Sequence, residues 1–143
     1  MPVAVKRVYE KPARSDGARV LVDRLWPRGV RKEAVPIWLK ELAPSDELRR
    51  WFHARPQNWE MFRRRYLKEL SRPPAVAALE DLYQLAETRS KLTLLFASRN
   101  IEHNNAVVLK QLLEGMRKPP TGTGPAAAAA MPGRQRARAR RPR

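Results

Sequence analysis

Apolar positions along this chain fall into short β-branched runs and helix-spaced stripes, separated by proline and glycine breaks. Val3, Val5, Val8 and Tyr9 make a short β-like stretch, followed by a turn carrying Pro12, Ser15, Asp16 and Gly17. Ala18 to Trp26 holds Val20, Leu21 and Val22 in a row, the pattern of a central strand buried on both faces, and Trp26, Pro27, Arg28 and Gly29 punctuate its end. Pro36 predicts the opening of a short helix carrying Ile37, Trp38, Leu39 and Leu42, interrupted at Pro44. Ser45 is placed to cap the next helix, about Asp46 to His53. Asp46 and Glu47 sit at its positive end, and Leu48, Trp51 and Phe52 are spaced by three and four. From Asn58 to Leu70, Trp59, Phe62, Tyr66 and Leu70 form one stripe, with Arg63, Arg64, Arg65, Lys68 and Glu69 mostly outside it. A third stripe follows Pro73 and Pro74 and ends near Thr88. Leu92 to Ala97 reads as a second buried strand, and Ala106 to Met116 resumes helical spacing.

Strand, helices, strand, helix is the order of an α/β fold with a small, mainly parallel sheet flanked by helices, because parallel strands need crossovers that pack back on the sheet. The pattern leaves room for an antiparallel edge formed by the short first strand. Residues 1–118 make up this α/β domain. Residues 119–143 turn to Pro, Gly, Ala and Arg without apolar periodicity, so they are expected to form a disordered Arg/Ala/Pro-rich tail.

Composition narrows the chemistry. The absence of cysteine removes disulfides, thiolate zinc sites and cysteine nucleophiles, and fits a cytoplasmic protein. The chain reads without a targeting segment or membrane helix, since the longest apolar run of the body, Leu92 to Ala97 apart from Thr93, is far short of the ~20 residues a span needs. Formal charge is +16, of which six arginines between Arg134 and Arg143 supply +6, leaving +10 on the body. Such an excess favours polyanionic partners by long-range attraction and counterion release.

Three stretches resemble the YeaO-like family of bacterial proteins (domain of unknown function 488). They are AVKRVYE at Ala4 to Glu10, RVLVDRLWPRG at Arg19 to Gly29, and LTLLFASRNIEHNNAVVLKQLL at Leu92 to Leu113. APSDELRRWFH at Ala43 to His53 is similar to the same family's middle segment. The resemblance covers nearly the whole body and stops before the tail. It implies a compact α/β fold and a bacterial cytoplasmic origin, and it implies no reaction, because the family has no settled activity. Where relatives usually carry His after the Asn of the last motif, this chain has Asn105, so a mechanism needing a titrating imidazole there does not transfer.

Ligands of open α/β sheets lie at the carboxyl ends of the strands, and two polar clusters follow the two most buried runs. Asp23, Arg24, Trp26 and Arg28 form one; Ser98, Arg99, Asn100, His103 and Asn104 form the other. If the strands are neighbours, Arg24, Arg28 and Arg99 are expected to clamp an anion, with Asp23 orienting a guanidinium and Trp26 beside them to stack on a ring. His103 and Asp23 are the acid–base candidates. Structural readings stand beside these: Asp23 in an internal ion pair with an arginine, Asn100 or Asn104 as a helix cap, His103 as a structural residue, and most of Trp26, Trp38, Trp51 and Trp59 as core.

Stronger chemistries lack support. Gly17 and Gly29 are the only glycines before Gly115, so there is no phosphate-cradling glycine loop. His53 and His103 have no metal-ligand spacing, no cofactor is specified, and Ser98 lacks the setting of a hydrolase nucleophile. Two functions from different classes follow: a pocket for a small phosphate- or nucleotide-like anion, or non-specific nucleic-acid binding through the basic body and tail. A scaffold for a partner protein is a third.

Overall fold

The structure, a computed structural model, describes residues 2–120. The expected disorder of 121–143 therefore lies outside the described residues. Four strands, β1 (Val3–Arg7), β2 (Ala18–Leu21), β3 (Ile37–Trp38) and β4 (Leu92–Phe96), pair in parallel in the order β1-β4-β2-β3. Leu94 lies opposite Val5 on one side and Val20 on the other, which makes β4 central. All five β4 residues are buried, and that is why its run is apolar without alternation. Thr93 is the polar exception, and its hydroxyl donates to the Asp16 carbonyl at 2.6 Å.

Two expectations are corrected here. The first strand is not an antiparallel edge: β1 runs parallel to β4, from Val3 opposite Leu92 to Arg7 opposite Phe96. The residues between Arg7 and Ala18 carry the chain back, so that β2 also starts at the same end. Nor does Pro36 open a helix. Ile37 and Trp38 form β3, and only Lys40–Leu42 coils, as a single 3-10 turn. Ile37 and Leu39 enter the large core while Trp38 packs on the other face, which is the side-chain alternation of a strand.

One sheet face, carrying Val3, Val20, Leu94 and Phe96, packs against α1 (Asp46–Ala54), α2 (Trp59–Leu70), α3 (Ala75–Thr88) and α4 (Asn105–Gly115). The stripe expected on α2 is the one it buries, with Phe62, Tyr66 and Leu70 inside. Ser45 caps α1 as anticipated, its Oγ accepting from the Leu48 N–H at 3.1 Å. Ser45 N and Oγ in turn donate to Glu69, at 2.7 and 2.6 Å, pinning the end of α2 to the start of α1.

Among the described residues, no long helix packs over the opposite face. Val30, Val35 and Trp26, from the segment joining β2 to β3, pack with Val8 on Leu21 and Leu95. A buried polar knot lies on the same layer: Asp16 takes Lys6 Nζ at 3.0 Å, the Arg19 guanidinium and the Ala13 N–H. Burial works to raise the Asp16 carboxyl, but these donors outweigh it and hold it below the usual carboxylate range. Arg19 Nε donates to the Ala34 carbonyl at 2.8 Å, so one guanidinium joins both return segments. Among the described residues, no helix is long and apolar enough to cross a membrane.

Candidate functional site

All strands point one way, so the loops after β2 and β4 leave from the same edge, and β2 pairs directly with β4. The segments that carry the two polar clusters named from the sequence thus begin side by side, at the carboxyl end of neighbouring strands. Asp23 joins them. Its Oδ2 accepts from the Ala97 N–H at 2.9 Å, and its Oδ1 accepts from Asn105 Nδ2 at 3.1 Å. Asn105 Nδ2 also donates to the Val22 carbonyl at 2.9 Å, so one amide at the start of α4 holds the end of β2. Burial pushes the Asp23 carboxyl up, and the bonds from Ala97 and Asn105 and the field of Arg49 bring it only partly back.

The expectation that Asp23 either pairs with an arginine or orients one does not match these contacts. Among the described residues it makes no salt bridge, and both its oxygens are held by neutral donors. Arg24 instead reaches away, its Nη2 3.4 Å from the Pro44 carbonyl. Arg28 and Arg99 are exposed, and neither makes a hydrogen bond or ion pair with any described residue. Leu25 and Ile101, on the same two loops, are 69% and 61% exposed.

The loop after β4 is bonded to itself. Ser98 Oγ accepts from the Asn100 N–H at 3.1 Å, and Asn100 Oδ1 accepts from the N–H groups of Glu102 and His103 at 3.2 and 2.9 Å. Asn104 caps α4, accepting from the Val107 N–H at 3.0 Å, and its Nδ2 donates to the Asn100 carbonyl. The His103 ring stacks on Trp59 with centroids 4.5 Å apart, and no hydrogen bond joins it to Asp23. Trp26 is spent on packing: Nε1 donates to the Val30 carbonyl at 2.9 Å, and its ring meets Trp38 edge to face at 5.3 Å.

Two residues of this edge carried no signal as site members. Arg7, at the end of β1, donates to the carbonyls of Ala97 and Ser98 at 2.9 and 3.0 Å and so fixes the start of the β4 loop. Asn105 stood out only as a departure from the family pattern, although its side chain is one of the two donors that hold Asp23. Among the described residues, no cluster of His, Asp and Glu has the makings of a metal site. A cleft of about 440 Å³ opens between Val8–Pro12 and Gly29–Ala34, and none of the nominated residues lines it.

The model of the inactive DUF488-N3 subclade matches residues 2–129. The chain is 46% identical over 115 residues to the uncharacterized protein Rv3073c of Mycobacterium tuberculosis, covering 79% of this chain and 94% of that one. It is 41% identical over 120 residues to the uncharacterized protein YeaO of Escherichia coli, covering 81% of this chain and all of that one. No solved structure matches.

Proposed function

The chain belongs to the DUF488 family, and from that premise we propose that it binds a small phosphate- or nucleotide-like anion at the carboxyl edge of its sheet without converting it. One observation carries the reading. Arg28 and Arg99 stand exposed and unpaired, among the described residues, on two loops that Asp23 ties together. Unpaired guanidinium groups are the usual recognition elements for phosphate oxygens. Exposed Leu25 and Ile101 offer apolar contact for the rest of such a ligand.

The absence of turnover is supported by how the polar groups are used. Both Asp23 oxygens are occupied, Asn105 does not titrate, and one face of the His103 ring is covered by Trp59. The subclade whose model matches is itself described as inactive.

Isothermal titration with ADP and with inorganic pyrophosphate tests this. Each of Arg28→Ala and Arg99→Ala is expected to weaken binding roughly tenfold or more, since a hydrogen bond to a charged group is worth about 1.5–3 kcal/mol. Absence of binding by the unsubstituted protein, or unchanged affinity in both variants, would remove the proposal. Release of phosphate from ADP followed by phosphorus NMR would keep the site and overturn its non-catalytic character.

A further inference from the structure

We propose that the outer face of the hairpin formed by α1 and α2 binds the backbone of nucleic acid without regard to sequence, separately from the anion site at the sheet edge. Arg64, Arg65 and Lys68 are exposed on α2, and Arg72 is exposed in the turn that follows. Arg64 and Lys68 lie one turn apart, so their Cα atoms are spaced by about 6 Å along the axis. The stripe is the solvent side of the helix whose other side buries Phe62, Tyr66 and Leu70.

Trp51 organises the charge at the seam. The Arg65 guanidinium lies 4.4 Å from the centre of its ring and that of Arg55 lies 5.7 Å away. Stacking on an indole restrains a guanidinium while leaving its in-plane N–H donors free for phosphate oxygens. The nearby acids do not cancel this charge equally. Asp46 is held by Arg49 and Arg50 at 2.7 and 2.8 Å, and Glu69 accepts from Ser45, which leaves exposed Glu47 and Glu60 as the remaining carboxylates of the hairpin.

The shape of the surface chooses between a small anion and a polymer. These cations are spread along the outside of a helix and do not surround a hollow, so a short ligand reaches few of them at once. A phosphodiester chain reaches several and gains from counterion release with each. Because guanidinium groups already lie against Trp51, its ring is not a platform for bases, which is why the binding is indifferent to sequence.

Fluorescence anisotropy with a fluorescein-labelled DNA duplex, read from 50 to 200 mM NaCl, tests the assignment on the full-length chain. The variant R64Q/R65Q/K68Q is expected to bind at least tenfold more weakly at 100 mM salt. Its log affinity against log salt slope should be shallower by about 2–3, since each lost phosphate contact removes about 0.9. A comparison variant, R134Q/R136Q/R138Q/R140Q, measures what the C-terminal arginines add. The proposal is overturned if the hairpin variant keeps the original affinity and slope, if the unsubstituted protein does not bind at 50 mM salt, or if polyglutamate of equal charge displaces the duplex equally well. Circular dichroism melting verifies the fold. Should the triple variant not fold, R64Q and K68Q are read singly, each expected to lower the slope by about 1.

Discussion

Replacing Gly17 with alanine is expected to cost about 2–6 kcal/mol of stability, the sum of backbone strain and steric overlap that typically cost about 1–3 kcal/mol each. Gly17 sits at φ 67° and ψ −138°, a region that residues with a Cβ rarely adopt. A methyl group there would lie 2.2 Å from the Lys91 carbonyl oxygen and 2.7 Å from its carbon. That carbonyl cannot step aside cheaply, because it accepts from the Ala18 N–H at 2.9 Å where β2 enters the sheet beside β4. A domain of this size has about 5–15 kcal/mol of stability in total, so a fall of some 10 °C or more in melting temperature is expected. A melting temperature within 2 °C of the original, measured by calorimetry, would show that the crossing at Lys91 is looser than described.

Asp23→Asn is expected to destabilise the protein by about 1–3 kcal/mol at neutral pH, and by more near pH 4. The carboxylate accepts from two donors, the Ala97 N–H and the Asn105 amide. An asparagine presents one acceptor and one donor, so however its amide turns, one N–H faces another or Asn105 gives up the Val22 carbonyl. The pH dependence has a definite sign. Burial raises the Asp23 carboxyl above its unfolded value of about 4, so the folded chain holds that proton more tightly. The stability gained from it is complete below about pH 4 and is lost as pH climbs through the raised value. Asparagine does not titrate, so the gap between the two proteins should narrow as pH is raised from 4 to 7. Urea unfolding across that range checks it, and a gap that widens instead would mean that the ionised form is the one the fold favours.

Much of the architecture was legible because its signals are local. Val20 to Val22 and Leu92 to Phe96 announced buried strands by unbroken apolarity, and the spacing of Trp59, Phe62, Tyr66 and Leu70 described a helix that buries that same stripe. Ser45 was readable as a cap because capping depends on neighbours three residues away. The misreading of Ile37 and Trp38 has an equally physical origin: a three-residue apolar run after proline suits a helix turn or a short strand, and only pairing with Val20 and Leu21 decides it. The direction of β1 was likewise set by a distant partner, with the Leu92 N–H bonding to the Pro2 carbonyl at one end and the Val8 N–H to the Phe96 carbonyl at the other.

The site was legible in outline and not in its bonds. Adjacency of the loops after β2 and β4 follows from strand order, which the alternation of elements left open. That Asp23 would be satisfied by Ala97 and Asn105, and not by an arginine close in sequence, depends on contacts spanning 74 and 82 residues. Charge alone pointed toward ion pairing; the side chains of Arg28 and Arg99 are instead exposed to solvent.

The strand order bears on how the protein is made. Because β4 separates β1 from β2 yet is the last strand among the described residues, the growing polypeptide on a ribosome holds a first strand with no neighbour and a second with only the two-residue β3 beside it. Sheet closure must wait until Leu92–Phe96 has emerged from the exit tunnel, which ties formation of the core to the arrival of β4. Nascent chains stalled before Leu92 should be digested by protease as readily as an unfolded polypeptide, and those extended beyond α4 should resist; early resistance would mean that the helices assemble without their central strand.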